Sequence, residues 1–287
     1  MQIKCGVSLC AVALLVCGLS GCGKLVSGAN AVPSVKYRPD STAVASAGTT
    51  TTATTPDTAV ATTDAGGVGT LKGRVVFEGS FSELPPRFAK GAATKDPTVC
   101  GAEMIPDESI IVKDGGLANV FVYLEKAPKG AKSEAAAASI KFDQKTCIFL
   151  PHALLVRTKQ TVFVLNDDDA SHNTHTNPLK NPAFNKVVSP KDRTGVPLKY
   201  DLAEKQPLSV VCDIHSWMKA YHLPLDHSFA DVSKGDGTFE IKDLPAGKYE
   251  FKVWHEVGEF LEKSLAVTIK PGDNETTIKV PASKLGK

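Results

Sequence analysis

From Thr70 onward the chain is a succession of short runs rich in Val, Ile, Phe and Tyr, each closed by Gly, Pro, Asn or Asp. That texture limits it to an all-β fold of sandwich or barrel type. The runs are Leu71 to Gly79, Ala118 to Glu125, Ala153 to Asp167, Pro207 to Cys212, Thr238 to Ile241, Lys248 to Glu256 and Leu265 to Lys270. One stretch, Lys132 to Ser139 (KSEAAAAS), is composed as a helix.

The N-terminus reads differently. Lys4 precedes an apolar stretch, Gly6 to Leu19, too short to span a bilayer, and small residues follow it. Leu19-Ser20-Gly21-Cys22 resembles the bacterial lipobox, which implies cleavage after residue 21 and acylation of Cys22. The alternative is a plain signal peptide with Cys22 as a bystander. No Asp follows Cys22, which by the same resemblance points to the outer membrane. The expected location is therefore extracytoplasmic and lipid-anchored, on the periplasmic side of the outer membrane or at the cell surface. Residues 22–69, mostly Ala, Thr, Ser, Pro and Gly, bury too little to offset their ordering entropy and read as a disordered tether. With Lys+Arg 33 against Asp+Glu 31 there is no basic surplus for a nucleic-acid partner.

Two segments carry the chemistry. Val164 to Pro178 (VLNDDDASHNTHTNP) ends one strand, and Val210 to Leu225 (VVCDIHSWMKAYHLPL) leaves another. Within them His172, Cys212, His215 and Met218 offer two imidazoles, a thiolate and a thioether, the ligand set of a type 1 copper site. Cys-x2-His-x2-Met puts three ligands on one tight loop between strands, and the fourth comes from a separate strand end. His175 competes with His172 as the upstream ligand. Asp167, Asp168 and Asp169 lack the Gly and distal Glu of a calcium loop and read as a solvated turn. Trp217 is read either as a cover for the copper edge or as ordinary packing.

These segments resemble the cupredoxins, in particular amicyanin and plastocyanin, over about Ser139 to Leu225. The resemblance makes His172 the first ligand, Asn173 the residue that ties the two ligand loops near the sulfur, and Cys212, His215 and Met218 the C-terminal ligand loop. It implies one type 1 copper and single-electron transfer, with His215 at an apolar end as the exit toward a redox protein partner. Ser171, Asp213 and Ser216 stand where the family favours Pro.

Of seven cysteines, Cys5, Cys10 and Cys17 leave with the signal, Cys22 takes lipid and Cys212 takes metal. Cys100 and Cys147 remain and are expected to pair, because exported proteins seldom keep two free thiols. A buried reduced thiol is the rival. Gly235 to Glu256, followed by Leu261 to Asp273, resembles the carboxypeptidase regulatory-like domain, a small non-catalytic β-sandwich. Phe239, Ile241, Tyr249, Phe251 and Val253 should point inward by alternation. Leu71 to Gly79 fits the first strand of that domain, so the copper domain is expected to be inserted into the sandwich or to share strands with it. The expected order is residues 70–138 as a β-rich segment, 139–225 as the cupredoxin domain and 226–287 as the second sandwich. His152 reads as structural, and His222, His227 and His255 as structural or as a second metal site.

Hydrolase and phosphate-loop motifs are absent from the sequence. The function expected is that of an electron carrier, not an enzyme. The alternatives are a surface binding or structural sandwich, carbohydrate-binding for example, or a copper storage or delivery protein.

Overall fold

A computed structural model describes residues 66–286. The signal segment, Cys22 and the tether up to residue 65 lie outside the described residues. Four sheets and three hydrophobic clusters account for the rest, and none of the sheets closes into a barrel. The all-β class holds, in the form of open sandwiches.

One sandwich draws on both ends of the described chain. The strand Val68–Glu78 pairs antiparallel with Thr238–Pro245 and parallel with Gly272–Pro281. Facing it are Ala230–Val232, Phe121–Tyr123, Gly247–His255 and Glu259–Ile269. Alternation works as the sequence indicates: Phe239, Ile241, Tyr249, Phe251 and Val253 are all buried in the core between these sheets, with Leu71, Val75 and Leu117. Gly73 is required where Phe239 crosses, because a Cβ there would lie 2.2 Å from the Phe239 ring.

The second sandwich occupies the middle of the chain. One sheet runs Asn185–Val188, His172–Thr176, Leu208–Val211, Lys219–Leu225 and Ala153–Arg157. The other runs Val196–Leu198, Thr161–Val164, Ser139–Lys145 and Ile148–Leu150. The run expected from Ala153 to Asp167 is therefore two strands in different sheets. The break falls at Lys159, whose positive φ of 66° and N–H bond to the Tyr200 carbonyl turn the chain from one layer to the other. Residues 88–105 belong with this half: Phe88, Ala93, Val99, Cys100 and Ile105 join its core, and their one helical turn is Pro97–Cys100.

The helix expected over Lys132–Ser139 does not form; the segment is an extended strap. Eight residues are too few to repay helix nucleation, and tertiary partners take the polar groups. The Glu134 N–H bonds Ser228 Oγ, and the carbonyls of Glu134 and Ala137 accept from Arg157 and Gln160.

The halves meet through Phe121, Tyr123 and Trp254 on one side and Ala153, Tyr221, Leu223 and Leu225 on the other. At the rim, buried His152 bonds Glu256 through Nε2, and its Nδ1 lies 3.7 Å from Glu108. Burial opposes charging His152, but the two carboxylates outweigh it and raise its pKa to about 9. The unfolded imidazole titrates near 6.5, so its stabilising contribution is complete below about pH 6.5 and is lost as pH rises through 9. Unfolding free energy should fall by up to about 3 kcal/mol across that window, and denaturant titrations of His152→Gln should lack the dependence.

Candidate metal centre

Three of the four expected ligands converge. His172 opens the strand His172–Thr176, Cys212 follows Leu208–Val211, and His215 sits on the loop that returns into Lys219–Leu225. His172 Nδ1 and His215 Nδ1 face each other at 3.0 Å, and Cys212 Sγ lies 3.7 Å from His215 Nδ1. The three ligand atoms fall within 4.8 Å of one another. His172 and His215 are 0% exposed, Cys212 2% and Met218 1%. Met218 closes the loop: its N–H bonds the His215 carbonyl at 2.9 Å, and its own carbonyl accepts from the Cys212 N–H at 3.3 Å.

Both rings are held from behind. His172 Nε2 bonds Asp168 Oδ2 at 2.9 Å, and His215 Nε2 bonds Asp96 Oδ2 at 2.9 Å. A carboxylate on Nε2 fixes the proton there and turns the Nδ1 lone pair inward, the outer-sphere arrangement typical of metal-ligating histidines. Two lone pairs at 3.0 Å beside a sulfur need a cation between them, either a shared proton or a metal ion. The donor set fits copper: imidazole nitrogen and soft thiolate, with a buried thioether on the same loop.

Asn173 joins the two ligand segments. Its Oδ1 accepts from the Asp213 N–H at 2.7 Å and from the Cys212 thiol at 3.4 Å, while its Nδ2 donates to Asp213 and Asn185. Burial pushes the Cys212 thiol up, but the His172 and His215 imidazoles, with a proton shared between their Nδ1 atoms, and the backbone at Asn173 and His215 outweigh it and bring its pKa to about 6. The group thus favours the thiolate that a metal requires.

His175 points away from the cluster, half-exposed and bonded to Asp213 Oδ1 at 3.0 Å. Cys100 and Cys147 are bridged, with Cα atoms 5.3 Å apart. The supposed solvated turn at Asp167–Asp169 needs correction at its centre, because Asp168 is buried. Its Oδ1 accepts from the Thr146 N–H at 2.6 Å, and its Oδ2 from the Cys147 N–H at 2.8 Å as well as from His172. Its pKa is lowered: burial opposes ionisation, and the bonds from His172, Cys147 and Thr146 prevail.

His215, expected at an apolar end, is itself 0% exposed. Asp96 covers its Nε2 edge, and Trp217 packs 5.1 Å from its ring with Nε1 bonded to the Cys147 carbonyl. Phe88 lies against Trp217 at 4.8 Å. The sequence offered no signal for Asp96, which is 119 residues from His215. For Asp168 a signal existed in its spacing four residues before His172.

The other histidines do not form a second centre. His222 bonds the Tyr200 hydroxyl, and burial drives its pKa down to about 3. His227 lies beside Arg157, while burial and then the charge of His152 lower His255 to about 4. Among the described residues none of the three belongs to a metal-ligating group.

Neither a family model nor a curated protein matches the chain. Solved structures similar to part of it include a reduced mutant of amicyanin, 18% identical, covering 37% of this chain and 99% of its own with a TM-score of 0.28. A purple cupredoxin from Nitrosopumilus maritimus is 17% identical over 31% of this chain and 100% of its own, with a TM-score of 0.26. The copper-containing nitrite reductase from Thermus scotoductus SA-01 is 16% identical over 33% of this chain and only 25% of its own, with a TM-score of 0.27.

Asp168→Ala should destabilise the metal-free protein by about 2–4 kcal/mol in chemical denaturation, because it strands two backbone N–H groups and unfixes His172.

Proposed function

We propose that the chain is a type 1 copper protein that passes single electrons between redox partners and is held outside the cytoplasm by acylated Cys22. The convergence of His172 Nδ1, His215 Nδ1 and Cys212 Sγ in a buried site carries this reading. Bound copper would supply a one-electron couple. The chain's own residues do the rest: Asp168 and Asp96 aim the imidazoles, Asn173 locks the thiolate loop, and the Met218 backbone closes it by bonds to His215 and Cys212. A site constrained from so many directions changes little in shape between two charge states. In this reading the second sandwich, carboxypeptidase regulatory-like by resemblance, is a non-catalytic spacer on the tether.

A second reading, copper storage or delivery, draws support from the covered His215 edge. Cu(II) added to the purified mature protein should produce an intense thiolate-to-copper band in the orange-red region, absent in Cys212→Ser. If wild type gives no such band, the type 1 assignment fails. Asp96→Ala should keep the band and accelerate reduction by a small anionic reductant roughly tenfold, because it removes both a cover and a negative charge from the His215 edge. An unchanged rate together with ready release of copper to a chelator would favour delivery.

A further inference from the structure

The Cys100–Cys147 disulfide lies beside both imidazoles of the candidate centre. Its two sulfurs and a ring nitrogen of His215 fall within 4.8 Å of one another, and Cys147 Sγ is within the same distance of a ring nitrogen of His172. All four residues are fully buried. Two sulfurs and an imidazole at that spacing are a ligand set for a thiophilic ion once the sulfurs are thiolates. As a disulfide they cannot serve.

More than the bridge holds the two cysteines in place. The Cys147 N–H bonds Asp168 Oδ2 at 2.8 Å, and the Cys147 carbonyl accepts from Trp217 Nε1 at 3.0 Å. The Cys100 N–H bonds the Asp96 carbonyl at 2.8 Å, and the Asp96 carboxylate in turn holds His215. Phe88, Val99 and Ile105 seat the surrounding segment in the core. Opening the S–S bond therefore leaves two thiols beside His215. A route for a reductant exists as well. Among the described residues, the backbone-to-backbone hydrogen bonds of residues 88–105 all stay inside the segment, from the Phe88–Ile105 pair to the Gly91–Gly101 bond. A unit closed on itself can lift as a whole and expose the sulfurs without global unfolding.

We propose that a dithiol reductant converts this bridge into a second metal site, in which the Cys100 and Cys147 thiolates and His215 bind a thiophilic ion of the Cu(I) or Zn(II) class. The dithiol closes its own disulfide and passes two electrons and two protons to the bridge. The entering ion then displaces both thiol protons to water. A disulfide oxidant reverses the sequence: it takes two electrons from the thiolates, the S–S bond re-forms, and the ion leaves. A sulfur pair is either bridged or coordinating, so thiol redox state gates the site. His215 belongs to both groups, but the gated site needs no copper in the candidate centre.

The test uses the full mature chain carrying Cys212→Ser, so that any thiolate-to-metal absorption comes from Cys100 and Cys147. The protein is titrated with Cd(II), whose thiolate bonds absorb in the ultraviolet, before and after reduction with dithiothreitol and its removal without air. The bridged protein should give no band, and the reduced protein a band that saturates at one equivalent and is abolished by oxidised glutathione. His215→Ala in the same background should weaken Cd(II) at least tenfold, which corresponds to about 1.4 kcal/mol. The proposal is overturned by the absence of a saturable band after reduction, by an unchanged titration in Cys100→Ser or His215→Ala, or by a loss of near-UV dichroism on reduction that Cd(II) does not restore. The type 1 reading fails separately, through the orange-red band of the wild-type protein, which Cys212→Ser does not carry.

Discussion

The Asp168 carboxylate is the interaction on which the candidate metal centre depends. It faces the two-residue turn between Ser139–Lys145 and Ile148–Leu150, where Thr146 and Cys147 have φ of 54° and 55°. That conformation suits Asn-Gly and is strained for a β-branched residue, so it persists only where the surroundings over-determine it. Asp168 accepts both N–H groups of the turn and still holds His172. One side chain therefore links the turn geometry, the position of Cys147 and the orientation of the His172 imidazole.

From that turn the constraint spreads outward. Cys147 carries the bridge to Cys100, at the end of the helical turn Pro97–Cys100, and Asp96 immediately precedes that turn. The carboxylate behind His215 is thereby tied, through the disulfide, to the carboxylate behind His172. The Cys147 carbonyl also receives Trp217, which packs on His215. The end of the site that would otherwise face solvent is closed by a segment contributed from far upstream.

The two sandwiches share one chain path. The strand Val68–Glu78 lies between the strands Thr238–Pro245 and Gly272–Pro281, so residues on both sides of the half that holds His172, Cys212 and His215 build the other half. Their seam is aromatic, with Tyr221 against Trp254 at 5.0 Å, and at its rim charged His152 is shared between Glu108 and Glu256. A buried cation flanked by carboxylates from distant segments favours one docking over others, because any other docking would leave charge buried and unpaired.

The strand texture was legible in the sequence, as were His172, Cys212 and His215 as residues that could come together, because local alternation and a loop of fixed spacing are properties of neighbouring residues. So was the inward face of Gly235 to Glu256. The strap at Lys132 to Ser139 was not, since its alanines favour helix and only Ser228, Arg157 and Gln160, all distant, hold it extended. At Lys159 the polar interval Arg157-Thr158-Lys159-Gln160 marks a break between two apolar runs, but it does not reveal that the runs serve different sheets. By itself the sequence determined which atoms could bind a metal. Only the tertiary structure decided that Asp168 and Asp96 aim them and that His215 is covered, because those contacts join segments whose proximity is set by sheet packing and not by spacing along the chain.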